Sequence, residues 1–210
     1  MYELKCTIEG LVEVLYNRPP MEIPGGRAPK KRQTNREALL KEKIYVDRKG
    51  VYMPVDNIEM MLIGSTARTG AAKILGSYIE TNKGTEYTNF CKGCIWITAL
   101  DGSKKLYWQP NRKTWDGTDV RSFPDKSQQR HTAERPMIKT PWKLTFVIHV
   151  TEDTWSPDMV KRFFDVAGMR VGLGSYGPKF GRFLVKEFVD LRDGTDHAKQ
   201  PGKKSKKKAS

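Results

Sequence analysis

The sequence predicts an α+β fold built on an antiparallel sheet, and three observations point to it. Residues 2–9 alternate strictly, with Tyr2, Leu4, Cys6 and Ile8 set against Glu3, Lys5, Thr7 and Glu9. Residues 142–150 repeat the pattern, with Trp142, Leu144, Phe146, Ile148 and Val150 set against Lys143, Thr145, Val147 and His149. A side-chain period of two marks a strand with one buried face. Capped segments of helical period stand between such strands. The clearest is Ser156-Pro157 ahead of Met159, Val160, Phe163, Phe164 and Ala167, an N-cap residue followed by proline at the first helical position.

Taken in order, the first strand is expected to run on past Gly10 through Val12, Val14 and Tyr16. Asn17 to Gln33 follows, rich in Pro, Gly, Arg and Lys, and buries too little to be more than a surface loop. Thr34-Asn-Arg-Glu37 has capping-box spacing and opens a short helix to about Lys43. Ile44–Asp47 and Val51–Val55 read as two short strands around a turn. Asp56-Asn-Ile-Glu59 caps a helix with Ile58, Met61, Leu62 and Ile63 inward, and Ala71–Ile79 continues it after a break near Gly70. Cys94–Leu100 is a strand ending at the turn signal Asp101-Gly102. Residues 103–141 show no sustained period and read as a long basic insertion. After the 157–167 helix comes a glycine-rich stretch, with Gly168 placed to cap the helix, and Phe183–Val189 is the last strand.

The major elements therefore run strand (2–16), helix (57–79), strand (94–100), strand (142–150), helix (157–167), strand (183–189). That βαββαβ order is the order of a ferredoxin-like domain. One such domain is expected over residues 1–192, with insertions at 17–55 and 101–141 and a disordered basic tail at 193–210. RNA-recognition motifs share the topology, but Phe180-Gly-Arg-Phe-Leu-Val185 lacks their leading glycine and opens the last strand rather than the third.

Composition narrows the partner. The 210 residues carry a formal charge of +14. Residues 196–210 hold six lysines against Asp196, which accounts for +5 and leaves +9 on the remaining 195. A basic body attracts polyanions, nucleic acid being the commonest. No stretch reaches the ~20 apolar residues of a membrane span, and the first residues lack the form of a signal peptide, so a cytoplasmic protein is expected. Three cysteines make no disulfide framework. Cys91-Lys-Gly-Cys94 is half of a zinc spacing without a second half, since His131, His149 and His197 stand apart. Neither metal nor cofactor is expected.

Ala167 to Phe183 holds five glycines, one proline and three cations in seventeen residues. Glycine allows positive φ and close approach of main chain to a ligand, so such a loop can present several N–H donors to a phosphate; it can equally be a tight helix-to-strand connection. In residues 103–141 cations alternate with Tyr107, Trp108, Trp115 and Phe123. That mixture can follow phosphates and stack bases, at about 1–3 kcal/mol per stacked base.

Met53-Pro-Val-Asp-Asn-Ile-Glu-Met-Met-Leu-Ile63, the approach from Pro136 to Trp142, and Ala167–Gly174 with Pro178-Lys-Phe-Gly-Arg-Phe183 resemble a widespread group of uncharacterised phage and prophage proteins. More distantly, a ferredoxin-like domain with a glycine-rich loop before its last strand is similar to the RAMP superfamily, which includes backbone subunits of CRISPR effector complexes and CRISPR-RNA processing endoribonucleases. Gly64-Ser-Thr-Ala67 stands where that superfamily has a Gly-Ser-Ser-x-Lys-Gly run. The resemblance implies binding of RNA or single-stranded DNA, with subunits arrayed as a homo-oligomer along the strand. A phage-encoded protein would act in the cytoplasm of its bacterial host.

The expectation is a non-catalytic binder of single-stranded RNA or DNA. Its contact residues are Arg18, Arg27, Lys30, Lys31 and Arg32 in the first basic loop, and Lys104, Lys105, Trp108, Arg112, Lys113, Trp115 and Arg121 in the second. Arg170, Gly172, Gly174, Ser175, Tyr176, Lys179 and Arg182 complete the set in the glycine-rich loop. A metal-independent endoribonuclease with His131, His149 or Tyr176 as general base and a structural or partner-binding phage protein are the alternatives.

Overall fold

Strict alternation becomes a sheet with one dry face. In the computed structural model of the chain, which describes residues 1–18, 35–66, 68–124 and 129–192, the elements run as follows. Strands β1 (Tyr2–Gly10) and β2 (Val14–Leu15) are followed by helix α1 (Arg36–Glu42). Next come β3 (Tyr52–Pro54), α2 (Val55–Ile63), the two-residue strands β4 (Gly64–Ser65) and β5 (Arg68–Thr69), and α3 (Ala71–Ile74). A wider π-helical turn, Leu75–Ile79, extends α3. Then come α4 (Gly84–Gly93), β6 (Ile95–Thr98), β7 (Lys105–Tyr107), β8 (Gly117–Pro124), β9 (Arg130–Ile138) and β10 (Lys143–Val150). Helix α5 (Pro157–Val166), a second π-helical turn over Ala167–Val171, and β11 (Phe183–Asp190) complete the chain.

The chain is an α+β fold. Its main sheet has four antiparallel strands in the order β11-β1-β10-β6. Tyr2 pairs with Val150 and Glu9 with Lys143, so β1 and β10 lie in register along their whole length. The β1–β11 register shifts between Thr7 and Ile8, a β-bulge. Leu4, Cys6, Ile8, Leu144, Phe146, Ile148 and Val150 point into the core and are fully buried. There they meet Val160, Phe163, Phe164 and Ala167 from α5 and its extension, and Ile58, Met61 and Leu62 from α2. Burying a side chain of this size is worth about 1.5–3 kcal/mol. The other face carries charge in balance: Lys5 pairs with Glu187, both Lys143 and Lys186 with Glu9, and His149 with Glu3.

The expected capping of α5 holds, with Ser156 Oγ accepting from the Met159 amide at 3.3 Å. Three expectations are corrected. The first strand does not continue from residue 2 to 16. It breaks at Leu11–Glu13, and β2 joins β9 and β8 in a separate three-stranded sheet. The Trp142 indole causes the break: it occupies the space a side chain at Gly10 would need, and its Nε1 donates to the Val12 carbonyl at 2.9 Å. Residues 103–141 are not one long loop. They hold β7 and the β8–β9 hairpin, in which Arg135, Pro136 and Ile138 near the end of β9 are buried and β8 shows no apolar alternation. The expected break near Gly70 is present: the β4–β5 turn divides the 57–79 stretch into α2 and α3. Gly168 is not a cap. The helix runs on to Val171 and is closed by Gly172 at φ 73°, while Gly168 lies against Phe183, whose carbonyl a Cβ would overlap. Helix α4, which the sequence reading passed over, buries Tyr87, Phe90 and Cys91 at i, i+3 and i+4.

Candidate functional site

The glycine-rich stretch is held from both sides. The Ser175 amide donates to the Leu15 carbonyl at 2.9 Å, and the Gly181 amide to the Glu13 carbonyl at 2.8 Å. Within the loop, Leu173 N–H donates to Gly181 O, Phe180 N–H to Tyr176 O, and Gly172 N–H to Ala167 O. These five amides close the loop on itself and on the 11–15 segment. Gly172, Gly174 and Gly181 all have φ between 72° and 76°, and in each case a Cβ would meet a backbone carbonyl. Geometry accounts for these glycines.

What the loop does present outward is carbonyl oxygen, and one arginine answers it. Arg68, at the start of β5, donates from Nη2 to Gly172 O at 2.7 Å and from Nη1 to Gly174 O at 3.1 Å. No carboxylate is paired with it among the described residues. Partial burial lowers its pKa, the direction expected for a cation without a counter-charge, yet a guanidinium stays charged at neutral pH. Two of its five N–H groups serve the loop. Arg68 forms one side of a cleft of about 210 Å³ whose walls also include Arg18, Tyr45, Met60 and Ser175. Met53 and Met61 line its apolar part, and among the described residues Arg18 and Arg68 are its only ionisable side chains besides the tyrosines Tyr16 and Tyr45. The Arg18 guanidinium lies 5.0 Å from the centre of the Tyr45 ring, a cation–π contact. Tyr16 is buried, donates to Tyr52 O, accepts from Trp108 Nε1, and has its phenol pKa pushed up by burial; it is a fixed wall of the cleft.

A second cluster surrounds Tyr176, which sits at φ 58° with its side chain 40% exposed. Arg135 lies 4.5 Å and Arg121 5.5 Å from its ring centre, and Arg121 also covers Phe180 at 4.8 Å. Arg135 is 9% exposed, and its Nε and Nη1 have no hydrogen-bond partner among the described residues.

The other sequence candidates separate clearly. Arg18, Gly172, Gly174 and Ser175 come together at the cleft. Tyr176 and Arg121 meet in the second cluster, where Arg121 is also paired with Asp119 at 2.6 Å. Arg170, Lys179 and Lys104 are exposed. Lys113 donates to Lys49 O, and Arg182 to Pro178 O. Trp108 is corrected: at 1% exposure, edge-on to Trp142 at 5.2 Å between ring centres, it is core and cannot stack on a base. Trp115 is half-buried against the core. Arg112 is bound to Asp116 at 3.0 Å and to the Pro141 carbonyl. Arg27, Lys30, Lys31 and Arg32 lie outside the described residues, as does the side chain of His131.

Lys105 is corrected as well, because its charge is spent within the protein. Its Nζ is 2.7 Å from Asp47, which also accepts from Tyr107 Oη at 2.7 Å and from the Lys49 and Gly50 amides. These donors, Lys105 first, hold the Asp47 carboxyl far below the usual carboxylate range. A depressed folded-state pKa contributes stability that is fully present above the unfolded value near 3.9 and is lost as pH falls toward the folded one. Below about pH 4 the wild type is expected to lose melting temperature more steeply than Asp47→Asn, which has no such proton to take up. Parallel acid melting profiles of the two proteins would exclude this assignment.

His149, the other sequence candidate for a general base, is engaged on both nitrogens. Nε2 is 2.9 Å from Thr98 Oγ1 and Nδ1 is 3.0 Å from Glu3, with the ring stacked on Trp96 at 4.8 Å. It stands beside Glu3 at the start of β1, whereas the glycine-rich loop docks beyond its end. Seven residues of strand, roughly 23 Å, separate the two places. Cys91 is buried, with its thiol pKa pushed up by desolvation, and no group of three or more His, Cys, Asp or Glu suited to a metal occurs among the described residues. No helix there is long and apolar enough to cross a membrane. Sequence reasoning missed Arg68, Tyr45 and Arg135. The two arginines stand alone in their segments, and only the fold brings them to the loop.

No protein-family model matches the chain, and no curated protein matches it.

Proposed function

We propose that this chain is a non-catalytic binder of single-stranded nucleic acid that uses the cleft between Arg68, Arg18 and Tyr45 as its contact site. The observation that carries this reading is the character of that cleft. It holds two guanidinium groups, a tyrosine ring and a methionine floor, and no carboxylate lines it among the described residues. Guanidinium groups match phosphate oxygens, and aromatic rings take bases of any sequence. A duplex keeps its bases paired and stacked inside, so only an unpaired strand can offer one to Tyr45. The scaffold reads as the ferredoxin-like arrangement: the β11-β1-β10-β6 order, with helices on one face, is the order expected of it. That is consistent with the resemblance to phage proteins and to the RAMP superfamily, and with a role in the host cytoplasm. The nuclease reading has no support in His149, whose nitrogens are both engaged.

Electrophoretic mobility shifts with labelled single-stranded RNA, single-stranded DNA and duplex DNA at two salt concentrations test the proposal. Both single strands are expected to be retarded, the duplex less. For each phosphate neutralised, log K should fall by about 0.7 per tenfold rise in salt. The strand should emerge uncut after incubation without metal. Absence of any shift at low salt would end this reading, and a cut strand would replace it with the nuclease.

A further inference from the structure

The cleft does not end at Arg68. A second basin of about 580 Å³ adjoins it, and the two share Ser65 and Arg68 as walls. Its far side is built by Lys73 on α3 and by Thr88 and Lys92 on α4, and its near side by Thr66 and Thr69 at the β4–β5 turn. Lys73 and Lys92 are both exposed, and neither is ion-paired among the described residues. No carboxylate lines this basin either among the described residues, whereas the open face of the main sheet pairs its lysines with glutamates.

The two basins differ in chemistry in a way that matches the two halves of a nucleotide. The first offers the Tyr45 ring and the soft methionines Met53, Met60 and Met61, which suit the flat apolar face of a base. The second offers hydroxyls and ammonium groups, which suit sugar and phosphate oxygens. Arg68 stands between them with N–H groups to spare.

Resting on the nucleic-acid reading, we infer that a single strand seats one unpaired base in the Tyr45–methionine cleft and sets an adjoining phosphate on Arg68. Its backbone then runs out past Lys73 and Lys92, over the α3–α4 side of the molecule. It does not cross the open face of the sheet, where Lys5, Lys143 and Lys186 already have their counter-charges.

Fluorescence anisotropy with end-labelled oligo(dT) and oligo(U) tests the path on the full chain. Variants are Lys73→Gln with Lys92→Gln, Tyr45→Leu, and Lys5→Gln with Lys143→Gln as the open-face control; melting curves verify folding of each. The Lys73/Lys92 pair is expected to bind about tenfold more weakly, with a salt slope shallower by about 1.4, two phosphate contacts at ~0.7 each. Tyr45→Leu should weaken binding about tenfold with the salt slope unchanged, since stacking releases no counterions. The control should match the wild type. If the wild type binds neither oligonucleotide, the nucleic-acid reading itself fails. If it binds and the Lys73/Lys92 pair keeps its affinity and slope, or the open-face control loses them, the path is wrong while the reading stands. A Tyr45→Leu variant that folds and binds as tightly as the wild type removes the base from the cleft.

Discussion

Gly181→Ala is expected to destabilise the protein by about 3 kcal/mol, lowering its melting temperature by roughly 9 °C. Gly181 has φ 72°, a region that costs an L-residue strain by itself. A Cβ there would also overlap the Leu173 carbonyl and amide, which are backbone atoms and cannot rotate away. The Leu173 N–H to Gly181 O bond and the Gly181 N–H to Glu13 O bond both run through this contact. Relief of the overlap therefore pulls the loop from the 11–15 segment. Gly93→Ala is the matched control: the position ends α4, has nothing within 4 Å of its Cβ site, and does not require positive φ. It should gain up to about 1 kcal/mol from helix propensity. Urea titration with an unchanged m-value measures both. A loss below about 1 kcal/mol at Gly181 would mean that the loop has somewhere else to go.

Arg68→Gln is expected to weaken single-strand binding about 30-fold, close to 2 kcal/mol, the scale of a hydrogen bond made by a charged group. Its effect on stability should be of similar size, because the bonds to Gly172 O and Gly174 O are lost together and both acceptors lie in the half-buried loop. Arg68→Lys distinguishes the two roles. Lysine keeps the charge but not the planar fork that reaches two carbonyls at once, so affinity should recover more than melting temperature does. Equal affinity of Arg68→Gln and wild type, measured at low salt, would remove Arg68 from the contact.

The elements that were legible in the sequence are those with one dry face. β1 and β10 announce themselves because every second residue must be apolar, and α5 because Ser156 and Pro157 mark its start. The β8–β9 hairpin was illegible for the opposite reason: β8 fully buries none of its described side chains, and Thr118, Val120 and Arg121 follow no apolar rhythm. The end of β1 at Gly10 was hidden because the residue that imposes it, Trp142, lies more than a hundred positions away. At the site, the position of the glycine-rich loop could be read but not the direction of its amides, since their acceptors, Glu13 and Leu15, belong to a different part of the chain. Trp108 shows the same limit for aromatic residues. In a stretch without period, nothing local states whether a ring faces water or core, and this one bonds Tyr16, 92 positions earlier.

The bulge between Thr7 and Ile8 has a bearing on how copies of this chain can meet. It twists β1 against β11, one border of the main sheet, where Lys186 and Glu187 stand exposed; the other border, β6, is four residues long. Charged, irregular or very short borders resist strand-to-strand docking. Two copies of this chain would thus not be expected to join their main sheets edge to edge into a continuous ribbon.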